Sequence, residues 1–232
     1  AQIETSLRRR FFPLVPKVVI PGREGWSEEQ HDTDRLSRAL AAYTLIGLCD
    51  LDDTTAAGAI TDGSNDGGID ALHFDRANNR LVFVQAKFKR TGTAPSQDEN
   101  LKTINGIRAL QARRFNEFNV AFQNRLDEIE AGVDTAGVQI LLVLAYLGEN
   151  PNVHVTADNN ALKAELNIIS PRMDWQMAGL STIYGWLVAE QMPQAVSASV
   201  VLHNWAVITA PRKAVYGQIT SATLAQLVVD NG

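Results

Sequence analysis

The sequence predicts an α/β fold in which helices flank a mixed central sheet. Three observations predict it. Segments of helical periodicity alternate with short strand-like segments, in the order helix, strand, strand, helix, strand, helix. Two of the strand segments abut a four-residue turn, so a hairpin lies inside the series. Apolar residues are 45% and charged residues 20% of the 232-residue chain, which supplies a core and argues against global disorder.

Residues 1–26 read as an extended, partly buried N-terminal arm. Arg8-Arg9-Arg10 precede the apolar run FFPLVPKVVI, which Pro13, Pro16 and Lys17 interrupt. No small-residue cleavage site follows, so a signal peptide is not expected. Residues 27–232 then form the main domain. Ser27-Glu28-Glu29-Gln30 is a capping-box pattern that opens a helix to about Leu48, with Leu36, Leu40, Tyr43 and Ile46 on one stripe. Asp50 to Gly68 is turn-rich, a loop or a short helix. Ile69–Asp75 and Leu81–Lys89 are strands joined by the turn Arg76-Ala77-Asn78-Asn79. Asp98–Ala131 is long and helix-compatible, with Ile104, Ile107, Leu110, Phe115, Phe118 and Phe122 apolar. Val138–Tyr146 is a buried strand bounded by Gly137 and Gly148. Asn159–Leu166 and Met177–Gln191 follow as helices, the second ended by Pro193. Ser197–Thr209 and Ala214–Thr220 are strands, and Ser221–Val229 is a last helix.

Charge is unevenly spread. The formal net charge is −5, yet eight bases face only Asp98 and Glu99 between Arg80 and Arg114. Between Asp50 and Asp75 there are seven aspartates and neither Lys nor Arg. An acidic block beside a basic one is the pattern of a metal site next to a phosphate-binding face. Lys89, Arg90, Lys102, Arg108 and Arg113 are the expected phosphate contacts. The single cysteine, Cys49, fits a reducing compartment, so a cytoplasmic location is expected. The longest apolar run is too short to span a bilayer, which needs about 20 residues. No P-loop or zinc-ligand spacing appears.

The stretch that carries chemistry is Asp66-Gly67-Gly68-Ile69-Asp70, then Val84-Gln85-Ala86-Lys87. If 76–79 is the turn, Asp75 faces Arg80, Leu72 faces Phe83 and Asp70 faces Gln85. Side chains alternate along a strand, so Asp70, Leu72, Phe74, Leu81, Phe83, Gln85 and Lys87 share one face. A carboxylate, an amide oxygen and an ammonium then converge at its open end. Burying such groups unpaired costs about 1–3 kcal/mol each, so they require partners. A hard cation such as Mg²⁺ (or Mn²⁺) is the natural one for Asp70. His73 falls on the opposite face, and neither it nor His31, His154 or His203 shows ligand spacing.

DGGID followed at this distance by QAK resembles the Mrr-type branch of the PD-(D/E)xK nuclease superfamily, which often carries Gln where others have Asp or Glu. The wider pattern is similar to the N-terminal nuclease-like region of the AIPR (abortive infection phage resistance) family. It comprises an acidic helix, TDGSNDGGIDAL, VFVQAKFKR and a late YGQITSATLAQL, spanning Asp32 to about Leu227. The resemblance implies a restriction-endonuclease-like core and a Mg²⁺-dependent endonuclease acting on DNA in bacterial defence. It implies that Asp70 binds metal and that Gln85 and Lys87 form the second motif. It further implies an acid from the first helix at the metal. Glu28, Glu29, Asp32 and Asp34 are the candidates, and Asp34 fits best. Family members usually continue past this length, which implies a C-terminal domain beyond this chain and leaves a homodimer open. Gln85 keeps a second reading in play, a nucleic-acid-binding module on the same fold without cleavage.

Overall fold

The computed structural model describes residues 1–15, 25–191 and 199–231. The N-terminal segment corrects the expected arm. It is a helix, α1 (Gln2–Phe11), with Ile3, Leu7 and Phe11 buried on one stripe and Arg8, Arg9 and Arg10 in its last turn. Arginines there face the partial negative charge of the helix C-terminus. The prolines that suggested an extended path lie after the helix, and Pro16 and Lys17 fall outside the described residues.

Helix α2 (Glu28–Cys49) starts at the expected capping box. Ser27 Oγ accepts from the Gln30 N–H at 3.3 Å, and Gln30 Oε1 accepts from the Ser27 N–H at 2.8 Å. Asp52 caps the short α3 (Asp53–Gly58). Strands β1 (Ala71–Asp75) and β2 (Arg80–Lys87) form the expected antiparallel hairpin in the expected register, with Leu72 opposite Phe83 and Asp75 opposite Arg80.

The helix-compatible stretch Asp98–Ala131 is divided among three helices. These are α4 (Gln97–Gln111), α5 (Val120–Gln123) and α6 (Leu126–Asp134), with a 3-10 turn at Phe115–Glu117. Two local causes break it. Arg113 takes a left-handed conformation, φ +55°. Asn119 folds back, accepting from the Phe122 N–H at 2.9 Å and donating to the Thr61 carbonyl at 2.8 Å. Short polar side chains that bond nearby backbone compete with helix in this way.

Strand β3 (Gln139–Tyr146) pairs parallel with β2. Helix α7 (Val153–Leu166) starts earlier than expected, capped by Asn152. A strand follows that the sequence pattern does not predict, β4 (Met173–Ala178), and α8 (Leu180–Gln191) therefore begins after it. The sheet order is β1-β2-β3-β4, with β4 parallel to β3, so the sheet is mixed.

Two cores lie on its two faces. One packs α1, α2 and α3 on Ala71, Val82, Val84, Ala86 and Val143. The other packs α4, α6 and α7 on Leu72, Phe83, Leu142 and Leu144. Alternation along each strand divides its residues between them.

The chain separates into two units, Ala1–Ala189 and Glu190–Gly232. The expected boundary at residue 26 is thus replaced: α1 shares the first unit's core. The second unit contains the antiparallel pair β5 (His203–Ile208) and β6 (Ala214–Gln218), then α9 (Ser221–Asn231). The expected strand start at Ser197 and the helix stop at Pro193 lie outside the described residues. Among the described residues, no helix is long and apolar enough to cross a membrane.

Candidate metal centre and nucleic-acid cavity

A cavity of about 910 Å³ opens at the end of the hairpin remote from its turn. Its walls are the 62–70 loop, Gln85 and Lys87 of β2, and one face of α4. The loop is held there by backbone packing on α4. Gly67 and Gly68 take φ of +66° and +73°, a region that favours glycine. A Cβ on Gly68 would meet the Thr103 nitrogen at 2.7 Å, and one on Gly106 would collide with the Gly67 carbonyl oxygen. Thr103 Oγ1 donates to the Gly68 carbonyl at 2.7 Å.

Asp70 sits one residue before β1. Its N–H donates to the Val84 carbonyl at 2.8 Å, and its Oδ2 accepts from the Ala86 N–H at 2.6 Å. The ladder ends one step short of the expected Asp70–Gln85 pair, but both residues line the cavity. Burial raises the Asp70 pKa well above the usual carboxylate range, and the charges of Asp62 and Asp66 push it the same way.

Asp62, Asp66 and Asp70 each bring one carboxylate oxygen within 4.8 Å of the others. Asp66 also shapes the loop, accepting from the Gly63 N–H at 3.0 Å and the Gly68 N–H at 2.7 Å. Asp34, the expected helix acid, is not in this group. It lies 2.8 Å from the buried Arg38, whose Nε is 3.4 Å from Asp62. It lines a separate cavity with Lys89 and Trp26. Glu28 and Glu29 line no part of the main cavity, and Asp32 pairs with Arg8 at 2.8 Å.

Gln85 is 3% exposed. Its Nε2 donates to the Glu99 carbonyl at 2.9 Å, while its Oε1 has no hydrogen-bond partner. Lys87 Nζ lies 3.0 Å from Glu99 Oε1. Burial alone would lower the Lys87 pKa, but Glu99, then Asp70 and Asp62, outweigh it and raise it. Burial would raise the Glu99 pKa, but the Ser96 N–H and Lys87 hold it down at about 2.

The expected basic face is divided. Lys102 and Arg108 line the cavity, joined by Arg114. Lys89 lies in the cavity with Trp26. Arg90 turns toward α1, where it pairs with Glu4 at 2.7 Å. Arg113 pairs with Asp134 away from the cavity. Arg108 is itself held by Glu165 at 2.6 Å. Lys102 makes no ion pair among the described residues.

Sequence reasoning missed two residues of the cavity. Glu99 was visible as the fourth residue of a second capping box, Ser96-Gln97-Asp98-Glu99, yet counted there only as a charge. Asp62 lay in the TDGSNDGGID stretch without any periodic signal to orient it. Compared with protein-family models, curated proteins and solved structures, the chain matches none.

Proposed function

We propose that this chain is a Mg²⁺- or Mn²⁺-dependent phosphodiesterase of the endonuclease type, acting on DNA. The AIPR resemblance sets the proposal in bacterial anti-phage defence. The observation that carries it is the unpartnered Oε1 of a 97%-buried Gln85 lining the cavity that also holds the Asp62, Asp66 and Asp70 carboxylates. A buried acceptor without a partner costs about 1–3 kcal/mol, and a cation would relieve that cost. All four side chains offer hard oxygens, the donor type Mg²⁺ and Mn²⁺ take. Asp70, with Asp62, Asp66 and Gln85, would hold the ion, while Asp34 pairs with Arg38 behind them.

A divalent ion in such a site acidifies its water and neutralises phosphate charge. The residues of the chain supply the rest. Asp70 is fixed by the Ala86 N–H, so one carboxylate oxygen is aimed by backbone. Lys87 presents an ammonium to the cavity and offsets charge that develops on phosphate oxygens. Lys102 and Arg108, both on α4 and both lining the cavity, receive flanking phosphates.

One observation favours a second reading, a DNA-binding module without cleavage. The acids and bases lining the cavity nearly balance, with five of the first against four of the second, and the second-motif ligand is an amide. The deciding experiment is an electrophoretic shift assay with Mn²⁺ or EDTA, read for binding and for nicking, beside Mn²⁺ calorimetry. Nicking that EDTA abolishes is the expected result. Metal-independent binding without nicking would move the assignment to the second reading. Protein that neither binds Mn²⁺ nor touches DNA overturns both.

A further inference from the structure

We infer that Glu99 is the positioning residue of this site, fixing Lys87 through its carboxylate and Gln85 through its carbonyl. The inference deepens the nuclease reading and takes its catalytic meaning from it. Both contacts come from one residue at the start of α4. The side chain is locked on one side: Oε2 accepts from the Ser96 N–H at 2.8 Å and from Ser96 Oγ at 3.0 Å. That leaves Oε1 for the Lys87 ammonium at 3.0 Å. The carbonyl of the same residue accepts from Gln85 Nε2 at 2.9 Å.

The second contact decides which end of the amide is left over. A carbonyl accepts and cannot donate, so it binds only the NH₂ end of Gln85. The oxygen end is thereby the one left without a partner. Had a backbone N–H stood in that place, the NH₂ end would be left over, and it cannot bind a cation. The helix start therefore turns an ambiguous amide into an oxygen donor. The next turn of α4 is tied to the acidic loop, since Thr103 Oγ1 donates to the Gly68 carbonyl at 2.7 Å. The two motif residues and the loop thus take their alignment from the first two turns of α4.

Glu99→Gln separates the two functions of the side chain. Gln suits this capping position, as Gln30 does at the start of α2, so the helix start survives and the charge facing Lys87 is removed. The test has three readouts on the full chain. Thermal unfolding should shift by only a few degrees. Amine acylation, mapped by mass spectrometry, should rise several-fold at Lys87 and stay constant at Lys102. Plasmid nicking should lose about 10–100-fold in kcat with little change in KM, as for other residues that orient a catalytic group. Glu99→Asp keeps the charge and should recover part of both the Lys87 protection and kcat. It also carries the test if Glu99→Gln does not fold.

Unchanged Lys87 acylation in the Gln variant overturns the positioning role, whatever the nicking assay gives. Raised acylation with unchanged nicking overturns the catalytic consequence. Raised acylation in a protein whose wild type nicks nothing keeps the positioning of Lys87 and removes the nuclease reading instead.

Discussion

Asp70 carries a carboxylate at a place that disfavours a negative charge. Burial and the charges of Asp62 and Asp66 raise its pKa in the folded chain above the unfolded value. The folded state therefore holds the proton more tightly. The stability this gives is complete below the unfolded pKa and is lost as pH rises toward the folded one. In EDTA, Asp70→Asn should unfold at a higher temperature than wild type at pH 8, and the gap should close toward pH 4. Asn keeps an oxygen for the Ala86 N–H, so that bond survives. Mn²⁺ at 100 times its Kd should stabilise wild type by about 2.7 kcal/mol and the variant not at all. Scanning fluorimetry across pH checks both. A second expectation concerns the bases. Lys102→Ala with Arg108→Ala should weaken DNA binding and flatten its salt slope by about 0.9 for each phosphate left unneutralised. Arg90→Ala with Arg113→Ala should do neither, because Arg90 and Arg113 answer Glu4 and Asp134 away from the cavity.

Among the elements, α4 bears most directly on the cavity. Alanine is normally the better helix former, by about 1 kcal/mol over glycine. At Gly106 the added carbon would strike the Gly67 carbonyl, so Gly106→Ala should instead cost about 1–3 kcal/mol, read by urea unfolding. It should also weaken Mn²⁺ binding, because the acidic loop is displaced. Helix α1 allows a plainer test. Phe11 is fully buried, and Phe11→Ala should cost about 3–5 kcal/mol. An extended arm would not show that destabilisation.

Elements were legible where a local signal fixed them. The capping box at Ser27 placed α2, and the four-residue turn fixed the β1–β2 register. Helix α1 was hidden because its triple arginine and the prolines beyond it outweighed the spacing of Ile3, Leu7 and Phe11. The breaks after α4 depend on Asn119 reaching Thr61, a residue distant in sequence. Strand β4 alternates Met173, Trp175 and Met177 with polar residues, a period that the adjoining helical pattern obscured. Of the residues lining the cavity, Asp70, Gln85 and Lys87 were readable from motif and register. Glu99 was marked by its capping-box spacing as a helix start but not as a neighbour of Lys87, and Asp62 came from loop geometry that no spacing encodes.

For the whole molecule, the division at Ala189 and Glu190 makes a simple expectation. Residues 1–189 hold both faces of the four-stranded sheet, their cores and the cavity. That piece should fold cooperatively and give the same Mn²⁺ titration as the full chain, measured by urea denaturation and calorimetry. Failure of either would show that residues 190–232 complete the first unit.

Three carboxylates crowded within one cavity would ordinarily make folding depend on their cation, as in small zinc domains. Here the guanidinium of Arg38 lies between Asp34 and Asp62, and Lys87 stands opposite with its own charge. The scaffold thus carries counter-charges of its own. On the proposed metal reading, synthesis and loading would be separate events: the chain would mature metal-free and take the ion last. A chelated sample should then still refold cooperatively from urea, with a lower midpoint than a replete one.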